Sequence, residues 1–488
     1  MLFNSLSFLV FFPIVFILYY TIKPAYRTIL LLVASCYFYM SFVPVYILIL
    51  LALITLDYFV AQKIAVSEEK KERVYYLLIS IGGSLGILFL FKYFNFFNES
   101  VASLATALHW NYSPWLLSFA LPLGLSFHVF QSLSYVIEVY KKKYVPERNF
   151  FVYSLYVLFF PQLVAGPIER PQHLLPQLHL KHSFDKRKVR QGLEQMLWGF
   201  FKKIVIADQV AQIINPLYAD LPTESSLLIA IAILFSYQLY CDFSGYSDIA
   251  IGSAKMLGYD LTINFNRPYA ARTLSDFWRR WHISLSSWLR DYLYYPLALG
   301  WGKKTKMKLY GSLFVTFVLI GLWHGANWTF VVFGAIHGIY LVFELMTEKI
   351  RKKIRAILFL DRHEKIHHLF QVLIVFCLAS ISFIFFRSET MSKAWWFINH
   401  MFTWPSFSFM RHELLGSLTA HVGNIVFIVV VLSIIIMEVI QYIQSKKSTL
   451  FIFDDKPKYI RYGWYYSLSL LILLFGYFGG ESFIYFQF

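Results

Sequence analysis

Three stretches of the chain carry side chains able to do chemistry inside otherwise apolar sequence. The first is GLWHGANWTF, residues 321–330, with LYGSLFVTFVLI before it and VVFGAIHGIY after it. An ionisable side chain at membrane depth is costly and defaults to a functional reading. A neutral imidazole is a competent general base, so His324 suits proton abstraction. Asn327 lies three residues on and shares a helix face with His324 if the helix continues through both. His337 is a second histidine at depth, and Gly321 and Gly325 flank the motif as places where a substrate can approach the backbone.

The second stretch is DFWRRWHISLSSWLRD, residues 276–291. Read as one helix, it brings Arg279, His282 and Ser286 near one face, pairs Asp276 with Arg280, and sets Ser287 to bond Asp291. Arg279, Arg280 and Arg290 suit the phosphates of a nucleotide-like donor, by charge-assisted bonds. An interfacial helix whose arginines snorkel toward headgroups is the better account of these three. The third stretch is CDFSGYSD, residues 241–248, at the end of a long apolar run. Asp242, Ser244, Tyr246, Ser247 and Asp248 there read either as the polar wall of a substrate channel or as a helix end with local capping bonds.

Several chemistries find no support. The GxSxG elbow of serine hydrolases, the P-loop and HExxH are all missing. Cys36, Cys241 and Cys377 are far apart and read as packing residues, and no metal site is expected.

The elements that must position these residues are membrane helices. Of 488 residues, 58% are hydrophobic and 15% charged, against about 25% charged in soluble domains. Mean hydropathy is +0.56. Several runs reach the length of a span, so the chain is an all-α polytopic membrane protein. The N-terminal MLFNSLSFLVFFPIVFILYYTI reads as a first helix rather than a cleaved leader. The net charge of +16 is better explained by basic cytoplasmic loops than by nucleic acid.

Segments 97–114 and 215–226 hold no Lys or Arg and are placed outside. Basic clusters at 63–73, 141–148, 181–190, 267–308, 349–365 and 446–461 are placed inside. Spans follow at about 6–22, two within 28–62 with a bend near Phe42-Val43-Pro44, then 75–96, 115–139, 192–214, 226–257, 308–323, 326–346, 367–386, 421–443 and 463–480. Both termini come out extracytoplasmic. The run 150–168 is expected to be re-entrant or buried among helices, because FFPQLVAGPIERPQ is rich in helix breakers. The polar block 260–307 is expected to hold interfacial segments, as is the outer loop 387–420. No convincing internal repeat is evident, which weighs mildly against a transporter.

With these motifs in view, the chain resembles the membrane-bound O-acyltransferases, and within them the bacterial alginate O-acetyltransferase branch. The resemblance runs through LPLGLSFHVFQSLSYVIEVY (121–140), FFPQLVAGPIERP (159–171), the long stretch 240–297, GLWHGANWTFVVFGAIHG (321–338) and ESFIYFQF (481–488). His128 stands where an aromatic residue is expected. The resemblance implies one domain over 1–488, with a signature core at about 121–345 and C-terminal helices at about 367–488. It implies a ring of about 11 transmembrane helices, with re-entrant and interfacial helices, around a central tunnel.

It also implies that His324 is the essential histidine and His282 its companion. Asn327, Trp323, Asp242, Ser244, Tyr246, Ser286 and Arg279 are then the tunnel-lining candidates. Acetyl-coenzyme A would be the donor substrate, no bound cofactor is expected, and the acceptor would be an extracytoplasmic polysaccharide. A separate SGNH-hydrolase-like partner outside the cell membrane would complete the transfer. The alternatives are a sibling that acylates teichoic acid, lipid or protein, and a non-catalytic glycan transporter.

Overall fold

A computed structural model of the protein describes residues 1–118, 121–164, 166–300, 302, 305–357, 363–403, 413–447, 451–454, 456–479 and 483–484. Among the described residues every regular element is helical. The chain forms two compact units. One is residues 1–193 with 250–262, and the other is 194–249 with 263–488.

In the first unit, α1 (Leu6–Thr21) starts where the Ser5 hydroxyl accepts the Phe8 N–H. Helices α2 (Arg27–Met40) and α3 (Ile47–Val66) are separated at Pro44, whose ring forces Val43 into an extended conformation. The expected bend is therefore present. Helix α4 runs unbroken from Lys70 to Ala107. Residues 97–107, expected in an outer loop, belong to this helix. It ends where His109 turns left-handed, at φ 56°.

The return span is shorter than expected: α5 (Leu125–Tyr140) begins only after Pro122 and a left-handed Gly124. Upstream, Asn95 pins the irregular chain by exchanging two 2.8 Å bonds with the backbone of Leu117.

Helix α6 (Phe150–Leu158) has nine residues, a rise of about 14 Å against a hydrocarbon core of about 30 Å. It is buried, as is most of the irregular chain that follows. Such backbone persists at depth only if its polar groups are satisfied. Gln131 and Gln162 both donate to the Tyr156 carbonyl, and Ser35 accepts the Phe160 N–H. Helix α7 (Pro171–Leu178) closes the segment. Asp57, fully buried in α3, accepts from Ser80 at 2.6 Å and Ser132 at 2.5 Å. His128 is buried in α5, edge-on to Tyr39 at 6.1 Å.

Helix α8 (Lys186–Phe200) passes through a π-helical stretch, Phe201–Ala207, into α9 (Asp208–Ala219). Helix α10 (Ser225–Met256) is the long return span. The polar block beyond it holds short pieces: α11 (Leu274–Arg280), α12 (Ile283–Leu289) and α13 (Tyr295–Leu299). Then follow α14 (Lys306–His324), α15 (Trp328–Met346), α16 (Glu348–Ile357) and α17 (Glu364–Arg387). Helix α18 (Met391–Met401) lies in the expected outer loop, followed by α19 (Leu414–Thr419), α20 (Gly423–Lys447) and α21 (Lys458–Phe475).

Seven described helices are long and apolar enough to cross a membrane, and the shorter α1 is also apolar. Large apolar residues stand exposed along them, such as Leu48 and Phe59 of α3 and Ile425 and Ile428 of α20. Outward apolar faces suit lipid, and the chain is a multi-pass membrane protein. The three cysteines are free. Cys241 is buried, with its sulfur 3.5 Å from that of Met437, whereas Cys377 is exposed.

The tightest helix pair is α14 with α15. A Cβ on Gly321 would lie 2.1 Å from the Phe330 carbonyl oxygen, and one on Gly334 would lie 2.2 Å from that of Phe317. Glycine lets two membrane helices approach this closely. The expectation that Gly321 and Gly325 make room for substrate is corrected accordingly. A Cβ on Gly325 would strike the Phe330 ring at 2.1 Å, so both sites are filled by protein. Gly334→Ala is expected to push the pair apart and destabilise the fold by about 1–3 kcal/mol. Thermal unfolding in detergent reads this, and an unchanged midpoint would count against the packing argument.

Candidate active site

His324 is the last residue of α14 and is 3% exposed. Gly325 is extended, so the helix stops there, and Asn327 caps the next one. The Asn327 side chain accepts the Thr329 N–H and donates to the Glu389 carbonyl, both at 3.0 Å. The expected shared face of His324 and Asn327 is therefore not formed, because the motif is a turn between helices. Around His324 stand the rings of Trp323 at 5.0 Å, Phe386 at 5.3 Å and Phe333 at 5.8 Å.

His282 breaks the stretch expected to be one helix. α11 ends at Arg280, and His282 sits at φ 43° and ψ 57°, a left-handed conformation uncommon outside glycine, before α12 begins. The face expected to join Arg279, His282 and Ser286 is consequently absent. Arg279 is largely exposed and 3.8 Å from Asp276. The Ser286 hydroxyl donates to the Trp281 carbonyl at 3.2 Å. Ser287 bonds the Ser284 carbonyl rather than Asp291, which pairs with Arg290. The Asp276–Arg280 pair is present at 3.0 Å.

The broken helix turns the His282 ring inward, where it is fully buried. Nδ1 lies 3.1 Å from Oδ1 of Asn264. Phe243 packs edge-on at 4.6 Å, and Trp323 stands at 6.0 Å. Burial pushes the His282 imidazole down to about 3, so it is neutral at physiological pH. Trp323 thus touches both histidine rings and links the end of α14 to the break between α11 and α12. The sequence reading did not single out Asn264. It lies in LTINFNRP, 18 residues before His282, and the pairing forms only when the chain folds back.

His337 is a different kind of residue. Its Nδ1 accepts from Trp278 at 3.2 Å, and its Nε2 is 2.8 Å from the Ser382 hydroxyl. It joins three helices as a hydrogen-bonded core histidine.

The CDFSGYSD stretch lies wholly inside α10. The helix-end reading is therefore set aside, since α10 continues to Met256. Its acids bind lysines of the π-helical stretch. Asp242 and Asp208 each lie 2.7 Å from Lys203, which is 1% exposed. Lys202 bonds Asp248 at 2.5 Å and Ser244 at 2.9 Å. Asp242 also accepts the Ile484 N–H at 2.7 Å. Tyr246 stacks on Phe483 at 4.7 Å, and Phe483 contacts Phe243 at 5.4 Å. Most of ESFIYFQF lies outside the described residues, but Phe483 and Ile484 pack against the helix that carries Phe243.

His324, Trp323 and His282 thus form a buried row of two imidazoles linked by an indole. Residues 146–388, which contain His282, Trp323 and His324, match MBOAT, the membrane-bound O-acyltransferase family. The chain belongs to that family and is an O-acyltransferase. It is 38% identical over 425 residues to the probable alginate O-acetylase of Pseudomonas putida, covering 85% of this chain and 84% of that one. The probable alginate O-acetylase of Azotobacter vinelandii is 37% identical over 411 residues, 83% and 78% of the two chains. The peptidoglycan O-acetyltransferase of Helicobacter pylori is 32% identical over 428 residues, 81% and 78%.

Proposed function

We propose that the protein transfers an acetyl group from acetyl-coenzyme A at the cytoplasmic face to a hydroxyl of an extracytoplasmic polysaccharide. Membership of the family and similarity to two kinds of glycan O-acetyltransferase support the acyl group and the acceptor class. The observation that carries the reading is the buried His324–Trp323–His282 row. The lysine- and arginine-free segments 97–114 and 215–226 support a placement in the cell membrane with both termini outside. An SGNH-hydrolase-like partner on that side completes delivery to the polymer.

In this reading His324 takes the proton of the attacking hydroxyl as its oxygen bonds the thioester carbon. The carbon–sulfur bond then breaks, and the coenzyme A thiolate recovers the proton from the imidazolium. As the last residue of α14, His324 lies at the negative end of the helix dipole, which stabilises that transient cation by up to about 2 kcal/mol. The Trp323 indole N–H is the donor proposed for the oxyanion. His282 stays neutral and accepts a hydrogen bond. Arg279, Asp242, Ser244, Tyr246, Ser286 and Asn327 take no chemical step. Arg279 faces outward, and the others are engaged in the packing described above.

Purified protein in detergent, given radiolabelled acetyl-coenzyme A and a soluble oligosaccharide acceptor, is expected to release free coenzyme A and label the acceptor. Turnover with another acyl-coenzyme A but not the acetyl thioester would overturn the donor. Release that never depends on a saccharide hydroxyl would overturn the acceptor.

A further inference from the structure

We propose that Asn264 is a positioning residue that fixes His282 in the Nδ1–H form, so that Nε2 is the nitrogen that accepts a hydrogen bond from the reacting molecule. The inference rests on the role given to His282 above and specifies it. Asn264 is buried at 1% exposure, on the chain that precedes α11. Its backbone carbonyl accepts the Ile283 N–H at 2.9 Å, and the Asn266 N–H donates to the Arg280 carbonyl at 2.9 Å. These two bonds bracket His282 and hold its left-handed turn against residues 264–266.

The side chain then sets the chemistry. Oδ1 of Asn264 stands 3.1 Å from His282 Nδ1, 3.3 Å from the Ser284 backbone N and 2.9 Å from the Ser284 hydroxyl. A backbone N–H can only donate, so the atom facing it must be an acceptor. That excludes the flipped amide, which would oppose an NH2 to an N–H. The other end agrees, because Nδ2 donates to the Ser247 hydroxyl at 3.4 Å. With Oδ1 accepting, His282 Nδ1 must carry its proton. In a neutral imidazole Nε2 then holds the lone pair. His282 is thereby committed to accept rather than donate at Nε2, which separates its role from that of an oxyanion donor. The rings of Phe243, Phe265 and Trp323 pack around it, so the amide supplies orientation without charge.

Three variants test this in the full-length protein. Asn264→Leu keeps the volume and removes the acceptor. It is expected to lower kcat about 100-fold with the donor KM changed less than about threefold. Asn264→Asp keeps an acceptor at the same place and is expected to recover most of the activity above neutral pH. Its carboxylate would favour the imidazolium, so activity should be lost as pH falls, at a higher pH than in the wild type. A merely structural role predicts no such shift of the acid limb and no advantage of Asp over Leu.

Nitrogen-15 spectra of histidine-labelled protein give a readout independent of turnover, with His282→Asn identifying the signal. The Nδ1–H signature is expected in the wild type and its loss in Asn264→Leu. An Nε2–H signature in the wild type, or wild-type kcat in Asn264→Leu, overturns the proposal. Failure of the wild type to use acetyl-coenzyme A, with the Nδ1–H signature intact, would overturn the donor assignment and leave the tautomer established.

Discussion

His324→Ala is expected to lower acyl transfer by about 10²–10⁴-fold, the range contributed by a general base. Among the histidines described, His337 is spoken for by Trp278 and Ser382. His282 is engaged at Nδ1 by Asn264. The base is needed only as the hydroxyl attacks, so kcat should fall while the donor KM stays near its wild-type value. The imidazole is ringed by Trp323, Phe333 and Phe386, and truncation to alanine also leaves a hole. His324→Gln, which fills that space better and cannot take up a proton, separates chemistry from packing. Coenzyme A release, read alongside thermal unfolding, decides the matter. Turnover within tenfold of wild type in a folded His324→Gln variant would remove His324 from the role of base.

Lys203→Met is expected to be the most damaging single change away from the histidines. Its ammonium is 1% exposed and lies 2.7 Å from both Asp208 and Asp242. Removing one partner of a buried pair leaves uncompensated charge and costs about 3–5 kcal/mol. Here two carboxylates would be left facing each other. The yield of folded protein should drop sharply, and adding Asp242→Asn should restore part of it. Lys202→Met is the control. Asp248, its partner, is 20% exposed, so water relieves the orphaned carboxylate and the loss should be smaller. Equal behaviour of the two methionine variants, by fluorescence-detected size exclusion after heating, would contradict the buried triad.

Most spans were legible because an apolar run of span length has few alternatives. The bend at Pro44 and the short buried stretch after Phe150 were legible for local reasons, a ring that forbids helix and a cluster of breakers. The helix ends were less so. The absence of Lys and Arg from 97–114 places that segment in a loop, whereas the helix continues to Ala107. At the site, residue types pointed to His324 and His282, but helical spacing misassigned their neighbours. One break falls at Gly325 and another at His282 itself. The left-handed turn at His282 is stabilised by Asn264, a contact between segments that a periodicity within one helix cannot register. The acids of CDFSGYSD were visible, but their lysine partners lie about forty residues upstream, on the π-helical stretch.

That π-helical stretch also governs the far end of the chain. Its wider turn lets the Ile204 carbonyl accept the Tyr477 N–H at 3.1 Å, just past the end of α21, while Gln209 donates to the Phe475 carbonyl at 2.7 Å. Both bonds read the backbone of the departing chain and are indifferent to its side chains. The route of this segment is therefore held from a distance, by the Ile204 carbonyl and the Gln209 side chain. Proline at 477 would remove the donor to Ile204, and an insertion or deletion near residue 204 would displace the acceptor that holds a segment more than 270 positions away.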